Sequence, residues 1–192
     1  MRLAVLGAGM VGRAMVYDLC RQDDVDEVLV ADRDAGKARE VAERYGAGKA
    51  RGRALDVTDR EAVGGFIEGS RAALGAVSYR FNQALAEIAI AAGVHWIDLG
   101  GNNDVVEAQF ALSDRARAAG VAVVPDCGIA PGAVGILAAR LLELAPAADS
   151  IRLRVGGLPL RPVPPFNYQV VFSVEGLINE YKEPAVCLRG GA

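Results

Sequence analysis

The sequence predicts an α/β fold in which helices cover both faces of a doubly wound parallel sheet. Two observations support this prediction. Short apolar runs of strand length alternate with helix-like stretches up to about residue 145, and a glycine-rich turn separates the first run from the first helix. This alternation is typical of βαβ units, which build parallel sheets through right-handed crossovers.

Each predicted strand is a short apolar run, and each predicted helix carries apolar residues at helical spacing. The strands are, in order, Leu3–Leu6, Glu27–Ala31, Arg53–Val57, Ala72–Val77, His95–Leu99 and Val121–Val124. The helices are Met10–Arg21, Ala35–Tyr45, Asp59–Glu68, Asn82–Gly93, Val105–Ala119 and Pro131–Leu144. Asp59 and Asn82 are the expected N-caps of their helices, because short polar side chains accept hydrogen bonds from the first turn.

After Asp149 the pattern changes, and it predicts the start of a second α+β domain with antiparallel strands. Ser150–Val155 alternates polar and apolar residues, as a half-solvated strand does. Four of the eight prolines then fall within residues 159–165. Beyond them we expect strands at Asn167–Ser173 and Ala185–Arg189 around a short helix at Val174–Tyr181. We place the first domain at residues 1–130 and an incomplete second domain at residues 131–192.

The composition excludes several functional classes. The chain has 21 Lys and Arg against 24 Asp and Glu, so nothing indicates a basic surface for nucleic acid or an anionic membrane. His95 is the only histidine, which excludes a multi-histidine metal site, and we expect no metal. The three cysteines lie too far apart for a disulfide framework. Without a membrane-length apolar run or a signal-peptide pattern, we expect a cytoplasmic protein.

A GxGxxG motif follows the first strand directly and opens the first helix. Its glycines are Gly7, Gly9 and Gly12, and Met10 and Val11 lie between the last two. Glycines at these positions permit a tight turn, a close approach of backbone to a pyrophosphate, and close packing of helix on strand. Together with the βαβ pattern, the motif predicts a Rossmann-type dinucleotide-binding domain, with the diphosphate at the helix N-terminus.

An acidic residue, Asp32, follows Gly12 by 20 positions, at the end of the second strand. A carboxylate there accepts hydrogen bonds from the adenosine ribose and repels a 2′-phosphate, so we expect NAD in preference to NADP. The neighbouring Arg33 is either a phosphate contact that would favour NADP or a surface charge beside the adenine. Asp56 and Val57 either flank the adenine or form a turn before the next helix.

Ligands of open α/β sheets bind at the carboxyl ends of the strands, which places further candidates at three strand ends. After the fourth strand, Val77, Ser78 and Tyr79 are candidates, and Tyr79 either positions nicotinamide or substrate or is an amphipathic residue at the sheet edge. After the fifth strand, Asp98 is followed by Gly100, whose lack of a side chain suggests close backbone approach to a ligand.

After the sixth strand, Asp126 is either a general base, an anchor for an ammonium group, or a solvated turn residue. His95 begins its strand at the end of the sheet opposite the expected site, so we predict a structural role for it. No role is assigned to Cys127.

Five segments carry a resemblance to a known family. They are GAGMVG at residues 7–12, VSYRFN at 77–82, GVHWIDLGG at 93–101, AGVAVVPDCGIAPG at 119–132, and the long segment from Val155 to Tyr181. The chain resembles the saccharopine dehydrogenase-like family along its whole length, and within it the bacterial L-lysine 6-dehydrogenases. The last two segments are long enough to be specific, whereas the glycine motif alone is common.

The resemblance implies NAD-dependent oxidative deamination of L-lysine at its ε-carbon, giving allysine, ammonia and NADH. It also implies that Tyr79 and Asn82 line the nicotinamide side, and that Asp98 and Asp126 are the carboxylates available to an amino group. Members of the family are longer than this chain, which is expected to hold only the opening strands of the second domain.

Two alternatives remain open at this point. One is an NADP-dependent enzyme of the saccharopine or carboxynorspermidine reductase type, and the other is a module that binds NAD without turnover. The expected partners are a small amino-acid substrate and a second copy of the chain. We expect a homodimer or larger, since exposed strand edges at residues 151–155 or 170–173 would pair with another chain.

Overall fold

A computed structural model describes residues 1–170, 174–182, 184 and 187–190. Its centre is a single sheet of six strands with the order β3-β2-β1-β4-β5-β6. The strands are β1 (Arg2–Leu6), β2 (Glu27–Asp32), β3 (Ala50–Ala54), β4 (Ala72–Gly75), β5 (His95–Asp98) and β6 (Val123–Val124). All the strand pairs are parallel. This is the strand order of a Rossmann fold, and the predicted doubly wound parallel sheet is confirmed.

Up to residue 144, helices alternate with the strands as predicted. They are α1 (Met10–Leu19), α2 (Ala35–Tyr45), α3 (Arg60–Ile67), α4 (Asn82–Ala91), α5 (Asn103–Phe110), α6 (Ser113–Ala118) and α7 (Ala133–Leu144), with a short 3-10 helix at Tyr79–Phe81 before α4. The Asp59 cap is confirmed, because its carboxylate accepts from the Ala62 N–H at 3.0 Å. Asn82 is instead the first residue of α4, and its amide oxygen accepts no hydrogen bond from the described residues.

The sheet has a hydrophobic core on each face, which follows from the two-residue period of a strand. In β1, Leu3 and Val5 lie in one core, beside residues of α1 and α2. Ala4 and Leu6 lie in the other, beside residues of α3 and α4. Both faces of β1 are therefore buried, which explains why this strand reads as a continuous apolar run rather than an alternating one.

The third strand lies earlier in the chain than predicted. The apolar content of residues 53–57 suggested a strand there, whereas β3 spans Ala50–Ala54 and pairs with β2 in the register Asp32↔Ala54. None of the five β3 residues is buried. An edge strand with no buried side chain has no hydrophobic pattern. The prediction therefore followed the apolar residues Leu55 and Val57, which come after the strand.

The predicted helix Val105–Ala119 is two helices, α5 and α6. The break falls at Ala111 and Leu112. There the Ser113 hydroxyl donates a hydrogen bond to the Phe110 carbonyl, a local side-chain bond of the kind that competes with a continuous helix. Leu112 and Ala116 are nevertheless both buried in the core, which is why the apolar spacing continued through the break.

The chain divides into two compact units, Met1–Ile151 and Arg152–Ala192. The division falls after α7, later along the chain than the boundary at residue 130 expected from the sequence. Within the described part of the second unit, the helix α8 (Val174–Lys182) forms where a helix was predicted. No helix among the described residues is long and apolar enough to cross a membrane.

The predicted antiparallel strands of the second unit do not form in the described residues. Residues 150–155 and 167–170 are extended or irregular without a paired strand, and so are residues 187–189. Residues 171–173 and 185–186 of the other two predicted strands lie outside the described residues. Alternating polarity favours a strand only when a neighbouring strand completes its hydrogen bonds, and none of the described segments supplies that neighbour.

Candidate active site

The glycine loop at the carboxyl end of β1 packs too closely for side chains at two of its three glycines. A Cβ on Gly12 would lie 1.8 Å from the Gly7 carbonyl oxygen, and a Cβ on Gly7 would lie 2.4 Å from the Ala76 carbonyl oxygen. Gly7 also has φ +107°, a conformation that L side chains rarely adopt. These two glycines therefore hold α1 and the end of β4 against the loop.

Gly9 is different, because a Cβ there would meet no atom within 4 Å. Gly9 is also the N-cap residue of α1, and no side chain caps the helix there. Beside it, Met10 and Val11 are exposed, with 60% and 47% of their surface accessible. The loop therefore packs against the protein at Gly7 and Gly12 and leaves free space beside Gly9. This fits a backbone site for the pyrophosphate of a dinucleotide at a helix N-terminus.

Asp32 lies at the end of β2, next to the glycine loop. One carboxylate oxygen accepts from the Ala8 N–H at 2.9 Å, and the other accepts from the Asp34 N–H at 2.9 Å. A carboxylate oxygen can accept more than one hydrogen bond, so both oxygens still have capacity for ribose hydroxyl groups. The bond to Ala8 fixes the carboxylate against the loop that would hold the pyrophosphate.

The other residues predicted for the adenosine end lie at neighbouring strand ends. Arg33 is exposed and follows Asp32, while Asp56 is exposed in the loop after β3 and Val57 is half-buried. Asp56 accepts hydrogen bonds from the Thr58 N–H and hydroxyl, which lower its pKa, and the positive charge of Arg33 lowers it further. Arg33 therefore lies within electrostatic reach of the loop that follows β3.

The segment after β4 contributes Val77, Ser78 and Asn82. Val77 lies beside the glycine loop, 3.2 Å from the position of a Cβ on Gly7. Ser78 accepts a hydrogen bond from Arg80 Nε at 3.2 Å. Asn82 is only 2% exposed, and its amide oxygen Oδ1 has no partner in the described part of the chain. This buried acceptor is available to a donor that these residues do not supply.

Asp98 is completely buried at the end of β5. Its Oδ2 accepts from Trp96 Nε1 at 2.7 Å and from Gln109 Nε2 at 2.6 Å, and its Oδ1 accepts from the Gly100 N–H at 2.8 Å. Three donors from the chain itself surround this carboxylate, and no surface of it faces solvent. In this arrangement Asp98 supports the turn that follows it rather than contacting a substrate.

That turn, Gly100–Gly101, brings two predicted site residues together. A Cβ on Gly100 would lie 1.7 Å from Asp126 Oδ1, and a Cβ on Gly101 would lie 3.2 Å from the ring of Tyr79. Both glycines have positive φ, +69° and +124°. Tyr79 and Asp126 therefore pack on the same two-residue turn, and each is only partly buried.

Asp126 has an unusual backbone and an unusual environment for a carboxylate. Its φ is +60°, in the left-handed region, where Asp is tolerated better than most residues. Partial burial raises its pKa above the ordinary value, and the negative charge of Asp98 raises it further. Burial and the same two carboxylates also raise the pKa of the exposed Cys127 thiol. This corner of the site therefore disfavours additional negative charge and would favour a cation.

Sequence reasoning missed Trp96 and Gln109. Trp96 lies two residues before Asp98, so both side chains point to the same face of β5, a relation that the strand period would have revealed. Gln109 comes from α5, and no sequence signal links it to Asp98.

His95 lies at the start of β5 and accepts from the Ala122 N–H at 2.9 Å, as expected of a structural histidine. The described residues contain no cluster of His, Cys, Asp and Glu suited to a metal ion.

A comparison with known protein families agrees with this arrangement. The family described as the saccharopine dehydrogenase NADP-binding domain matches residues 3–124, which include the glycine loop and the six strands except for Arg2 of β1. The chain belongs to this family. The predicted resemblance to the saccharopine dehydrogenase-like family is thereby confirmed over these residues. A nicotinamide dinucleotide is the cofactor class that the family and the glycine loop support.

One curated relative is the carboxyaminopropylagmatine dehydrogenase of Synechocystis sp. It is 26% identical over 151 residues, which cover 74% of this chain and 38% of the relative. This chain therefore spans well under half the length of that relative.

Solved structures support the fold. Apo saccharopine dehydrogenase (L-Glu forming) from Saccharomyces cerevisiae matches with a TM-score of 0.64 and 24% identity, over 77% of this chain and 32% of the yeast chain. The scyllo-inositol dehydrogenase of Lactobacillus casei matches with a TM-score of 0.56 and 13% identity, over 78% of this chain and 43% of the other. At these identities the matches show a shared Rossmann architecture.

Proposed function

We propose that this protein is an NAD-linked dehydrogenase that oxidises the carbon next to an amino group, with L-lysine as substrate and allysine as product. The observation that carries the proposal is the position of Asp126. This partly buried carboxylate packs on the Gly100–Gly101 turn, as Tyr79 does, at the same edge of the sheet as the glycine loop.

The reaction removes a hydride from the ε-carbon and a proton from its amino group, and water then adds to the resulting imine. The carbon–nitrogen bond breaks, ammonia leaves and an aldehyde remains. A bound NAD⁺ would supply the acceptor for this hydride. The chain's own task is to hold the C–H bond in position, bind the substrate's charges and accept a proton.

Asp126 is suited to the proton and the amino group. A carboxylate whose pKa is raised is a better base near neutral pH than an ordinary aspartate, and its ionised form attracts an ammonium group. Tyr79 packs its partly buried ring on the same turn, at Gly101, where it would limit how the substrate lies. Asp98, fully buried beneath the turn, would act only through the residues that it positions.

We propose NAD as the preferred cofactor because of Asp32. The glycine-loop N–H of Ala8 fixes this carboxylate, and a fixed negative charge at the ribose end of the site disfavours the 2′-phosphate of NADP. Gly9 would lie beside the pyrophosphate, on the loop that Gly7 and Gly12 hold in place, with Val77 and Asn82 on the nicotinamide side.

A second candidate is an NADP-dependent enzyme of the saccharopine or carboxynorspermidine reductase type. Two observations favour it: the family is described as NADP-binding, and the exposed Arg33 stands directly after Asp32. An arginine at this point can hold a 2′-phosphate. A third possibility is a module that binds NAD without turnover.

A panel assay distinguishes these three functions. The protein is incubated with NAD or NADP and a series of amino acids, and the formation of reduced cofactor is followed by absorbance, while affinity for each cofactor is measured by calorimetry. The proposal predicts NADH formation that depends on L-lysine, with NAD bound more tightly than NADP. Tighter binding of NADP would favour the reductase, and NAD binding without reduction in any reaction would favour the binding module.

A further inference from the structure

The buried groups beneath the Gly100–Gly101 turn form a connected network. Trp96 and Gln109 both donate to Asp98 Oδ2, at 2.7 and 2.6 Å, while Oδ1 accepts from the Gly100 N–H at 2.8 Å. The network thus joins β5, α5 and the turn through one carboxylate. Charge-assisted bonds of this length are among the stronger hydrogen bonds in proteins.

The network fits its surroundings with little space to move. Gly75 of β4 pairs with Asp98 in the sheet, and a Cβ on Gly75 would lie 2.7 Å from the Trp96 ring and 3.4 Å from Asp98 Cβ. The indole therefore occupies the space that a side chain on β4 would fill. Trp96 and Asp98 are completely buried, and Gln109 is 2% exposed, so none of the three is accessible to a ligand.

The turn held by this network determines where two partly exposed side chains lie. Asp126 Oδ1 occupies the position that a Cβ on Gly100 would take, and the Tyr79 ring packs against the position of a Cβ on Gly101. The Asp98 carbonyl oxygen also accepts from the Cys127 N–H at 2.8 Å, which fixes the loop after β6 directly beside Asp126. A shift of the Asp98 carboxylate would therefore displace the turn, and the contacts of Tyr79 and Asp126 would move with it.

We infer that Trp96, Asp98 and Gln109 are positioning residues that hold the Gly100–Gly101 turn and thereby set the distance between Tyr79 and Asp126. The inference deepens the proposed function, because it assigns these residues to the amino-acid side of that site. It implies that the network controls amine binding and turnover while leaving dinucleotide binding at the glycine loop unaffected.

The test uses Gln109→Leu, which removes one donor to Asp98. Gln109 Oε1 has no partner in the described part of the chain, so the substitution removes the hydrogen bond that Nε2 donates to Asp98 Oδ2 and breaks no bond at Oε1. Gln83→Leu on the exposed side of α4 is the matched control. With L-lysine and NAD, Gln109→Leu should lower kcat/KM for lysine about 10- to 100-fold, since small misplacements in a site have effects of this size. KM for NAD should stay within about twofold.

A second variant, Asp98→Asn, separates positioning from general destabilisation. In the described residues, the charge of Asp98 raises the pKa of Asp126, and Asp98 and Asp126 both raise the pKa of the neighbouring Cys127 thiol. Removing the charge of Asp98 should lower the pKa of Asp126 and move the acid limb of the activity profile to lower pH. Gln109→Leu keeps that charge, so its acid limb should stay in place. Equal losses of lysine and NAD affinity in both variants, with no shift of the acid limb, would overturn the inference.

A fluorescence measurement keeps the inference testable if lysine is not the substrate. Trp96 is the only tryptophan in the chain, so intrinsic emission reports on the network directly. Titrating the NAD-saturated protein with n-butylammonium, a simple amine, should change the Trp96 emission in the wild type and in Gln83→Leu, and much less in Asp126→Asn. Calorimetric binding of the amine without any emission change in the wild type would contradict the network's role, whatever the reaction.

Discussion

At the residue scale, we propose that Asp32 sets the preference between NAD and NADP. The carboxylate is held by the Ala8 and Asp34 N–H groups, each at 2.9 Å, and this fixes a negative charge beside the glycine loop. Two positions later, Asp34 is the N-cap of α2 and accepts from the Gly36 and Lys37 N–H groups. The two acids are thus close in sequence but have different tasks, which provides a matched pair for mutation.

Asp32→Asn should reduce the preference for NAD over NADP about tenfold or more. The amide keeps an acceptor for Ala8 but removes the charge that repels a 2′-phosphate and strengthens bonds to ribose hydroxyls. Calorimetric titration with both cofactors measures the ratio. Asp34→Asn removes the same charge and retains an N-cap residue, so its ratio should match the wild type. An equal change in both variants would assign the effect to net charge rather than to Asp32.

The environment of Asp126 predicts how the stability of the fold changes with pH. Its folded pKa is raised, so the fold disfavours the ionised form. At pH values below the pKa of Asp126 in the unfolded chain, both states are protonated and Asp126 does not lower the free energy of unfolding. As the pH rises above that pKa, the unfolded state ionises first and the free energy of unfolding falls. Asp126→Asn should therefore raise the melting temperature at pH 7 relative to the wild type, with a smaller gain at about pH 3.

Asn suits this test because it tolerates the left-handed backbone that Asp126 adopts. Thermal unfolding followed by circular dichroism at the two pH values gives the comparison. The exposed Asp23→Asn serves as the control for loss of a surface charge. A gain that is larger in acid than at neutral pH would contradict the direction assigned to the pKa of Asp126.

At the level of the secondary-structure elements, the glycine loop separates packing from ligand binding. Gly12→Ala places a methyl group against the Gly7 carbonyl oxygen, so it should destabilise the fold by about 1–3 kcal/mol and weaken NAD binding. Gly9→Ala meets no protein atom within 4 Å. It should therefore leave stability almost unchanged while the methyl group blocks the approach of the pyrophosphate.

Urea unfolding and calorimetric NAD titration of the two variants test this separation. A third variant, Gly65→Ala in α3, controls for the intrinsic effect of alanine in a helix, since its Cβ also meets nothing within 4 Å. Full NAD affinity in Gly9→Ala would show that the pyrophosphate lies elsewhere.

The sequence predicted those elements whose side chains are buried with a clear period. β1 and β2 were placed to within a residue or so, because both are apolar and central in the sheet. β3 was misplaced because an edge strand without buried residues carries no period. In the site, the glycine motif and Asp32 were found from spacing alone. The contacts of Asp98 with Trp96 and Gln109 depend on how β5 meets α5, and a linear pattern does not contain that information.

At the level of the whole molecule, α7 presents a large apolar surface. Ile136 is 75% exposed and Leu144 is 65% exposed, and Leu137, Leu141 and Leu142 are also exposed. No residue of the helix is buried in the structure. Contiguous apolar surface of this kind is uncommon on monomers and marks an association surface. We therefore propose α7 as a surface on which two copies of the chain meet.

Sedimentation velocity tests this association. The wild type should sediment as a dimer or larger, while Ile136→Lys combined with Leu137→Lys should shift it toward the monomer. Phe110→Lys, which changes an exposed apolar residue on α5, should leave the distribution unchanged. A wild-type protein that remains monomeric at high concentration would contradict the proposal.

The proposed reaction is tested most directly by following deuterium from L-lysine into NADH. The protein is incubated with NAD and lysine that carries deuterium either at the ε-carbon or at the α-carbon, and the isolated NADH is analysed by mass spectrometry. Oxidation at the ε-carbon predicts deuterated NADH from the ε-labelled substrate alone, with allysine as the product. Deuterium arriving from the α-carbon, or no NADH from either substrate while NAD binds, would contradict the proposed function.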